Sequence, residues 1–179
     1  MTLLFFNLNA QTNVGSLLDL YNVRDNLSGT YNQTIDIDLI PTYPDSVESW
    51  TSGTYDEGAI VKNGSPAYTY ICTATTTTQE PPGSDWKQLW ETSKGWNPIG
   101  DGPNGFTGLY NGKGYKISNV YINRPDEDFV GIFGCMTGTS SQTARIDSVI
   151  IEKVDIKGRS GVGSLLGKIN DNRYVIIDR

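Results

Sequence analysis

Asp36 and Asp38 are the pair of residues in this sequence with the most direct potential for catalysis. They alternate with Ile35, Ile37 and Leu39, and this period of two predicts a half-buried strand with both carboxylates on one face. Carboxyl groups ~5–9 Å apart can catalyse glycoside hydrolysis, and residues two apart on a strand fall in that range. The alternative is that both acids face solvent or cap turns, and we favour this second interpretation.

The sequence contains few other residues that could act in catalysis or bind a metal. The sequence contains no histidine, which excludes Ser-His-Asp and Cys-His catalysis. Its two cysteines, Cys72 and Cys135, are too few for a structural zinc site and fall in different predicted units, so no disulfide is implied. The acidic run Asp126–Asp128 follows Pro125 but lacks EF-hand spacing, so we interpret it as a solvated loop. We predict no catalytic residue, metal site or cofactor.

Aromatic residues are concentrated between positions 46 and 90. An exposed ring can bind a sugar by lying flat against its C–H groups, whereas a unit this small needs most of its rings as core. Both alternatives stay open for each candidate ligand-binding residue. These candidates are Trp50, Tyr55, Tyr68, Tyr70 and Trp86. Trp90 and Trp96 are instead predicted to fill the junction with the rest of the chain.

Composition and charge restrict the classes of partner. The chain has 179 residues, of which 37% are hydrophobic and 19% charged, with 20 glycines; this is typical of a globular protein rich in strands and turns. The net charge of −6 and the lack of a basic stripe exclude a nucleic-acid partner. Acidity disfavours anionic membrane surfaces, and no segment is long enough to span a membrane. Neutral ligands such as polysaccharides stay open.

A near-repeat in the last third of the chain predicts the architecture. Ile117–Ile122 followed by Val130–Gly134 resembles Ile146–Ile151 followed by Val162–Gly167. Self-similarity at roughly 30 residues is typical of stacked units, in which each unit buries the apolar face of its neighbour.

Local patterns predict several other elements. Val14–Asn26 has helical spacing, Tyr31–Leu39 alternates as a strand, and Asn111-Gly112 indicates a tight turn. Tyr174–Arg179 is predicted to be a further strand.

Several short blocks occur in a fixed order on either side of the aromatic segment. They are Asp36–Leu39, Trp96–Gly100, Phe106–Gly108, Asn111–Tyr115, Ile117–Val120, Gly131–Gly134 and Gly163–Gly167. In these blocks, residues 16–40 and 95–167 resemble the GLUG-repeat proteins of bacterial surfaces and phages. The resemblance implies a parallel β-helix-like stack of the kind used in adhesins and fibres. It also implies that the Asp-Ile-Asp-Leu block is not catalytic.

A second set of blocks lies within residues 50–90. They are Trp50 with Gly53 and Tyr55, Gly58–Val61, Asn63-Gly64, Tyr68–Cys72, Pro81-Pro82 and Trp86–Trp90. This segment resembles the chitin-binding modules that are appended to chitinases and are common in phage tail proteins. The resemblance implies a small three-stranded sheet with an aromatic core and a chitin-type glycan as ligand.

Together these observations predict an all-β protein with two parts. Residues 1–45 and 91–179 are expected to form a short parallel β-helix-like stack, and residues 46–90 an inserted three-stranded carbohydrate-binding-like module. We expect a non-catalytic structural or attachment protein at a virion surface, as a phage fibre, tail or capsid-decoration component that binds a host cell-surface glycan. The module type is common in tail proteins, and no basic signal-peptide region precedes the apolar Met1–Phe6.

Two alternatives stay open at this point. The first is a secreted bacterial surface adhesin, located at the cell surface. The second is a polysaccharide-degrading enzyme fragment, which would have to use Asp36 and Asp38.

The two ends of the chain predict self-association. Leu3–Phe6 and Tyr174–Ile177 are apolar, whereas a stacked fold normally ends in a polar cap. An apolar terminal strand leaves an unprotected edge. We expect a homo-oligomer or a larger virion assembly, and analogy with β-rich fibre proteins favours a trimer.

Overall fold

The computed structural model describes residues 10–170 and 175–178, and most of its regular structure is β-strand. This confirms the prediction of an all-β chain. The α-helix of the described residues, α1 (Leu17–Asn22), continues into a 3-10 turn at Val23–Asp25. Ser16 caps α1, because its Oγ accepts a hydrogen bond from the amide of Asp19 at 3.0 Å. The predicted helix is thus confirmed in its centre. The described residues contain no helix long and apolar enough to cross a membrane.

Short strands make up the rest of the regular structure. In chain order they are β1 (Gln11–Val14), β2 (Thr30–Gln33), β3 (Ile37–Asp38), β4 (Tyr55–Asp56), β5 (Ile60–Asn63), β6 (Tyr68–Cys72), β7 (Thr76–Thr77), β8 (Trp86–Glu91), β9 (Leu109–Asn111), β10 (Lys116–Val130), β11 (Phe133–Met136), β12 (Ala144–Asp147), β13 (Ile150–Val162), β14 (Leu166–Ile169) and β15 (Val175–Asp178).

Three of the sheets are built from parallel pairs. Their strand orders are β1-β2-β9-β12-β15, β13-β10-β3 and β11-β14. β9, β10 and β11 follow one another along the chain, and β12, β13 and β14 then pair with them in the same order. Because parallel neighbours need a crossover connection, the chain visits all three sheets and returns one layer further on. We call this layered arrangement of parallel strands the stack.

The strand pairing between layers confirms the second half of the predicted repeat and corrects the first half. Val130 pairs with Val162, as the second half of the repeat predicts. In the first half, Ile117 pairs with Ile151, whereas the sequence pattern aligned it with Ile146. Ile146 lies in β12 and pairs with Tyr110 in a different sheet. The alignment was wrong because an Ile-x-x-Val pattern begins at both Ile117 and Ile146, and only the strand pairing separates the two.

Backbone conformation repeats between the layers together with the register. Three positions adopt a left-handed φ in both layers, and they mark where the chain bends. Two pairs follow the strand register, Asn119 with Lys153 and Phe129 with Gly161. Lys113 and Ser148 occupy the corresponding bends before β10 and β13, and all six have φ between 50° and 62°. A left-handed residue other than glycine costs about 1–2 kcal/mol, so five of these six positions store strain.

Replacement of Lys113 by glycine is expected to raise the free energy of unfolding by about 0.5–1 kcal/mol. Lys113 has φ of 54° and is exposed, so the substitution removes strain and no packed contact. The midpoint of thermal unfolding should rise by about 1–4 °C. Lys116→Gly is the contrasting variant, because Lys116 begins β10 without a left-handed φ and pairs with Glu152 at 3.0 Å, so it should lose stability. A loss in both variants would contradict the strain argument.

The predicted strand Tyr31–Leu39 is divided into β2 and β3. Ile35, expected on the buried face, is 48% exposed. The buried side chain of Gln33 explains the break, because its Nε2 donates to the carbonyls of Ile35 and Lys116 at 2.8 and 2.9 Å. These bonds fix a corner between two sheets, where alternation along one strand no longer applies.

A separate antiparallel unit lies between β3 and β9. β5, β6 and β8 form a three-stranded antiparallel sheet, and β4 pairs with β7. We call residues 47–93 the insert.

The insert leaves and rejoins the stack on a single strand, β10. Before the insert, the amide of Leu39 donates to the carbonyl of Ser118 at 2.8 Å. After it, the amide of Trp96 donates to Tyr121, and Asn123 donates to the carbonyl of Lys94, both at 2.9 Å. The two ends of the insert therefore reach the stack a few residues apart on β10, and the parallel pairing continues past them.

Candidate functional site

The five aromatic candidates occupy one face of the insert sheet and its covering loops. Tyr70 and Trp86 are buried, at 5% and 7% exposure, in a small cluster with Val61 and Cys72. Trp50, Tyr55 and Tyr68 are half-buried and pack against this cluster. The structure thus gives all five a share in the core of the insert, and three of them are only half-buried.

Polar contacts hold two of these rings in place. Trp86 donates from Nε1 to the carbonyl of Gln79 at 2.8 Å, and Tyr55 donates from its hydroxyl to the carbonyl of Thr51 at 2.9 Å. The two rings meet edge to face with centroids 5.4 Å apart. Burial raises the pKa of Tyr70.

Trp90 and Trp96 fill the junction between insert and stack, as predicted. Both are almost completely buried, and their centroids lie 5.8 Å apart. Tyr21 of α1 joins them, with its ring 6.1 Å from that of Trp96, and donates from its hydroxyl to the carbonyl of Leu89 in β8. The helix, the insert and the stack are therefore joined through one aromatic group.

Arg24 at this junction was not identified from the sequence. Its guanidinium carbon lies 3.8 Å from the Tyr21 ring centroid, and Nη2 donates to the carbonyl of Asn97 at 2.9 Å. Among the described residues it has no carboxylate at ion-pair distance. Burial lowers the pKa of Arg24 to about 10, so it stays charged at neutral pH. In the sequence, the only sign of this contact is that Arg24 follows Tyr21 by three residues, a spacing that brings two side chains together on a helix.

A polar cleft of about 320 Å³ opens beside this junction. Aromatic, charged and amide side chains from the helix, the insert and the stack line it. They include Tyr21, Tyr68, Gln88, Glu91, Lys94 and Arg124. We call it the junction cleft. Of the five aromatic candidates, only Tyr68 lines it.

Opposite charges are paired around the junction cleft. Lys94 lies 3.3 Å from Glu91 and 3.7 Å from Glu127, and Arg124 lies 2.9 Å from Glu127. Hydrogen bonds from Ser93 and Lys94 lower the pKa of Glu91. With charges balanced and rings beside hydrogen-bonding groups, the cleft suits a neutral polar ligand such as a sugar.

Asp36 and Asp38 serve as backbone caps. Asp36 Oδ1 accepts from the amide of Lys116 at 2.9 Å. Asp38 Oδ1 accepts from the amide of Ile40 at 2.9 Å and from Nδ2 of Asn119 at 2.8 Å. These contacts match the capping interpretation of the two acids.

The acidic run Asp126–Asp128 lies within β10, so its prediction as a loop was wrong. The pairing of β10 with β13 shifts between Arg124 and Asp128, and this irregularity accommodates Pro125, which is unusual inside a strand. Asp128 and Arg159 form a bidentate salt bridge, in which both N···O distances are 2.8 Å. That contact lowers the pKa of Asp128.

Cys72 and Cys135 are both buried, and their thiols are free.

Comparisons with known proteins give two partial similarities. Over 88 residues the chain is 33% identical to a putative Gly-rich membrane protein of Evansella cellulosilytica, which covers 47% of the chain and 9% of that protein. Over 78 residues it is 40% identical to halomucin of Haloquadratum walsbyi, which covers 44% of the chain and 1% of that protein. The chain thus spans less than a tenth of the length of either relative. No family model matches, and no solved structure is similar.

Proposed function

We propose that this chain is a non-catalytic structural and attachment unit. In this proposal a short parallel β-helix-like stack of the GLUG type displays an inserted module of the chitin-binding type. The observation that carries it is the shared use of β10 by the chain before and after the insert. An insertion whose ends lie close together projects from a scaffold without interrupting it. The capping contacts of Asp36 and Asp38 support a non-catalytic role.

We further propose that the unit works at an exposed surface outside the host cell. A virion surface is the setting that the sequence predicts. A bacterial or archaeal cell surface is the second candidate, and the names of the two relatives, a membrane protein and a halomucin, favour it. Detection of the chain in purified phage particles or in washed cell envelopes distinguishes the two settings.

In this proposal the glycan occupies the insert side of the junction cleft, against Tyr68. Tyr68 is half-buried and packs against the buried cluster of the insert, so its position is fixed while part of the residue stays accessible. Gln88 lines the same cleft and offers an amide that can both donate and accept. A ring face beside such a group is the combination that sugar recognition needs.

Replacement of Tyr68 by alanine is expected to reduce the affinity for chitin or host cell wall by about fivefold, from the loss of about 1 kcal/mol of ring contact. Retention is measured by pull-down across a ligand series, with circular dichroism to check the fold. Tyr115→Ala is the matched control, because Tyr115 is 38% exposed and lies on the stack. If Tyr68→Ala and Trp50→Ala both bind like the wild type, the rings serve only as core and glycan binding at the insert is refuted.

A further inference from the structure

Two arginines hold consecutive backbone carbonyls where the chain passes from the insert into the stack. Arg24 Nη2 donates to the carbonyl of Asn97 at 2.9 Å, and Arg124 Nε donates to the carbonyl of Trp96 at 3.1 Å. Arg124 Nη1 also lies 3.0 and 2.9 Å from the two carboxylate oxygens of Glu127. The two arginines make the same kind of backbone contact, but among the described residues only Arg124 has a carboxylate partner.

The guanidinium of Arg24 keeps one nitrogen without a hydrogen bond. Nε donates to the carbonyl of Tyr21 at 2.6 Å, and Nη2 is used by Asn97. Within the described part of the chain, Nη1 makes no hydrogen bond, and it is not one of the buried atoms that lack a partner. Nη1 is therefore accessible from outside, and both of its N–H groups are available to a ligand.

The positive charge of Arg24 is incompletely compensated within the chain. Asp25 is the neighbouring acid, but its carboxylate pairs with Lys87 at 3.3 Å. Burial has the largest influence on the pKa of Arg24 and lowers it to about 10, in spite of the attraction of Asp25. A half-buried guanidinium that stays charged without an ion-pair partner gains stability when an anion binds to it.

Arg24 lines a cleft of about 360 Å³. Leu27 and Pro98 contribute apolar groups to this cleft, and Asn97 and Asn104 contribute polar ones. We call it the Arg24 cleft. It shares only Asn97 with the junction cleft. Its volume is within the range of sites that bind small molecules, and such sites combine apolar walls with a few polar groups.

We propose that the Arg24 cleft binds the carboxylate of an acidic sugar, with Nη1 of Arg24 as the charged donor. The carboxylate of the ligand gives Arg24 the partner that Glu127 gives Arg124. The apolar and amide groups of the cleft suit the ring and the hydroxyl groups of a sugar. This site does not rest on the glycan proposed at Tyr68, because Tyr68 does not line the Arg24 cleft. Each proposal can therefore fail alone.

Asp101 lines the same cleft and opposes an anion there. Its Oδ1 accepts hydrogen bonds from the amide and from Nδ2 of Asn104, at 2.8 and 3.1 Å. The residue is exposed, so solvent and salt screen its charge more than that of Arg24. Asp101→Asn keeps an acceptor and removes the charge. It should strengthen the binding of an acidic sugar about twofold to fivefold, whereas a neutral sugar that uses Asp101 as acceptor would gain nothing.

Isothermal titration calorimetry with D-glucuronate and D-galacturonate, their methyl esters and acetate tests the site. At least one uronate is expected to bind about tenfold more tightly than its ester, which has the same ring without the charge. It should also bind more tightly than acetate, which lacks the ring, and more weakly as salt is added. Equal affinity for uronate and ester, acetate as tight as the uronate, or no binding of either uronate would overturn the proposal.

Substitutions in the wild-type chain locate the site. Arg24→Gln should lower the affinity for the uronate about tenfold or more, because it removes the charge. Arg159→Gln is the matched control: it removes the same charge outside the cleft, from a residue paired with Asp128, and should change the affinity by less than about threefold. Circular dichroism checks the fold, and if Arg24→Gln fails to fold, the ester comparison and Asp101→Asn decide. Wild-type affinity in Arg24→Gln, or weaker uronate binding in Asp101→Asn, would refute the site.

Discussion

Replacement of Trp96 by alanine is expected to lower the free energy of unfolding by about 3–5 kcal/mol. Trp96 is completely buried and packs against Tyr21 of the helix and Trp90 of the insert. Its Nε1 donates to the carbonyl of Ile132 at 3.1 Å, so alanine leaves a cavity and removes one of the two hydrogen bonds that this carbonyl accepts; the other comes from the amide of Ile99 at 2.9 Å. The midpoint of thermal unfolding should fall by about 10 °C or more.

The control for this variant separates packing from hydrogen bonding. Trp96→Phe keeps most of the ring contact and loses the donor, so its loss should be well below that of alanine. Denaturant unfolding followed by circular dichroism gives both values. Equal losses would show that the hydrogen bond to Ile132 rather than the aromatic packing dominates, and a loss below about 1 kcal/mol in Trp96→Ala would contradict the junction as described.

Gly108→Ala is expected to destabilise the stack by about 2–3 kcal/mol or more. A Cβ at Gly108 would lie 2.1 Å from the carbonyl oxygen of Gly29 and 2.9 Å from the carbonyl carbon of Ser28. Both are backbone atoms of the preceding layer, so no side chain can move aside. The layers must separate there, which strains the neighbouring bond from the Leu109 amide to Gly29, now 3.0 Å.

Gly53→Ala is the matched control for this substitution. At Gly53 the nearest atom to a new Cβ is the carbonyl oxygen of Thr51 at 3.9 Å, an ordinary contact. Its stability should change by less than about 0.5 kcal/mol. Thermal unfolding of the two variants side by side provides the comparison, and equal stability would refute the close approach of the two layers at Gly108.

The sequence predicted those features that rest on residue type. Strand and turn composition predicted the all-β class, and the density of tryptophan predicted a junction at Trp90 and Trp96. The Gly-bounded second half of the repeat aligned correctly, since Val130 pairs with Val162 and Phe133 with Leu166.

Features set by tertiary contacts could not be predicted. The bends at Lys153 and Phe129 use left-handed backbone without glycine, so no residue type marked them. The corner at Ile35 depends on Gln33 bonding to the distant Lys116. The role of Arg24 requires Asn97, 73 residues further along the chain.

The candidate site was predicted only in part, for a similar reason. Aromatic type identified Tyr68 as a candidate. The junction cleft also needs Arg124 from the stack and Tyr21 from the helix, and only folding brings these residues beside the insert.

The attachment of the insert to β10 has a consequence for protein engineering. Because Leu39 and Trp96 bond to Ser118 and Tyr121 of the same strand, the scaffold specifies only where a guest domain enters and exits. A different β-domain with closely spaced termini could be grafted between these points, provided that its inner face supplies apolar groups in place of Ile71 and Leu89, which belong to the main core. The stack can in this sense keep its layers unchanged while the domain inserted at this point is exchanged.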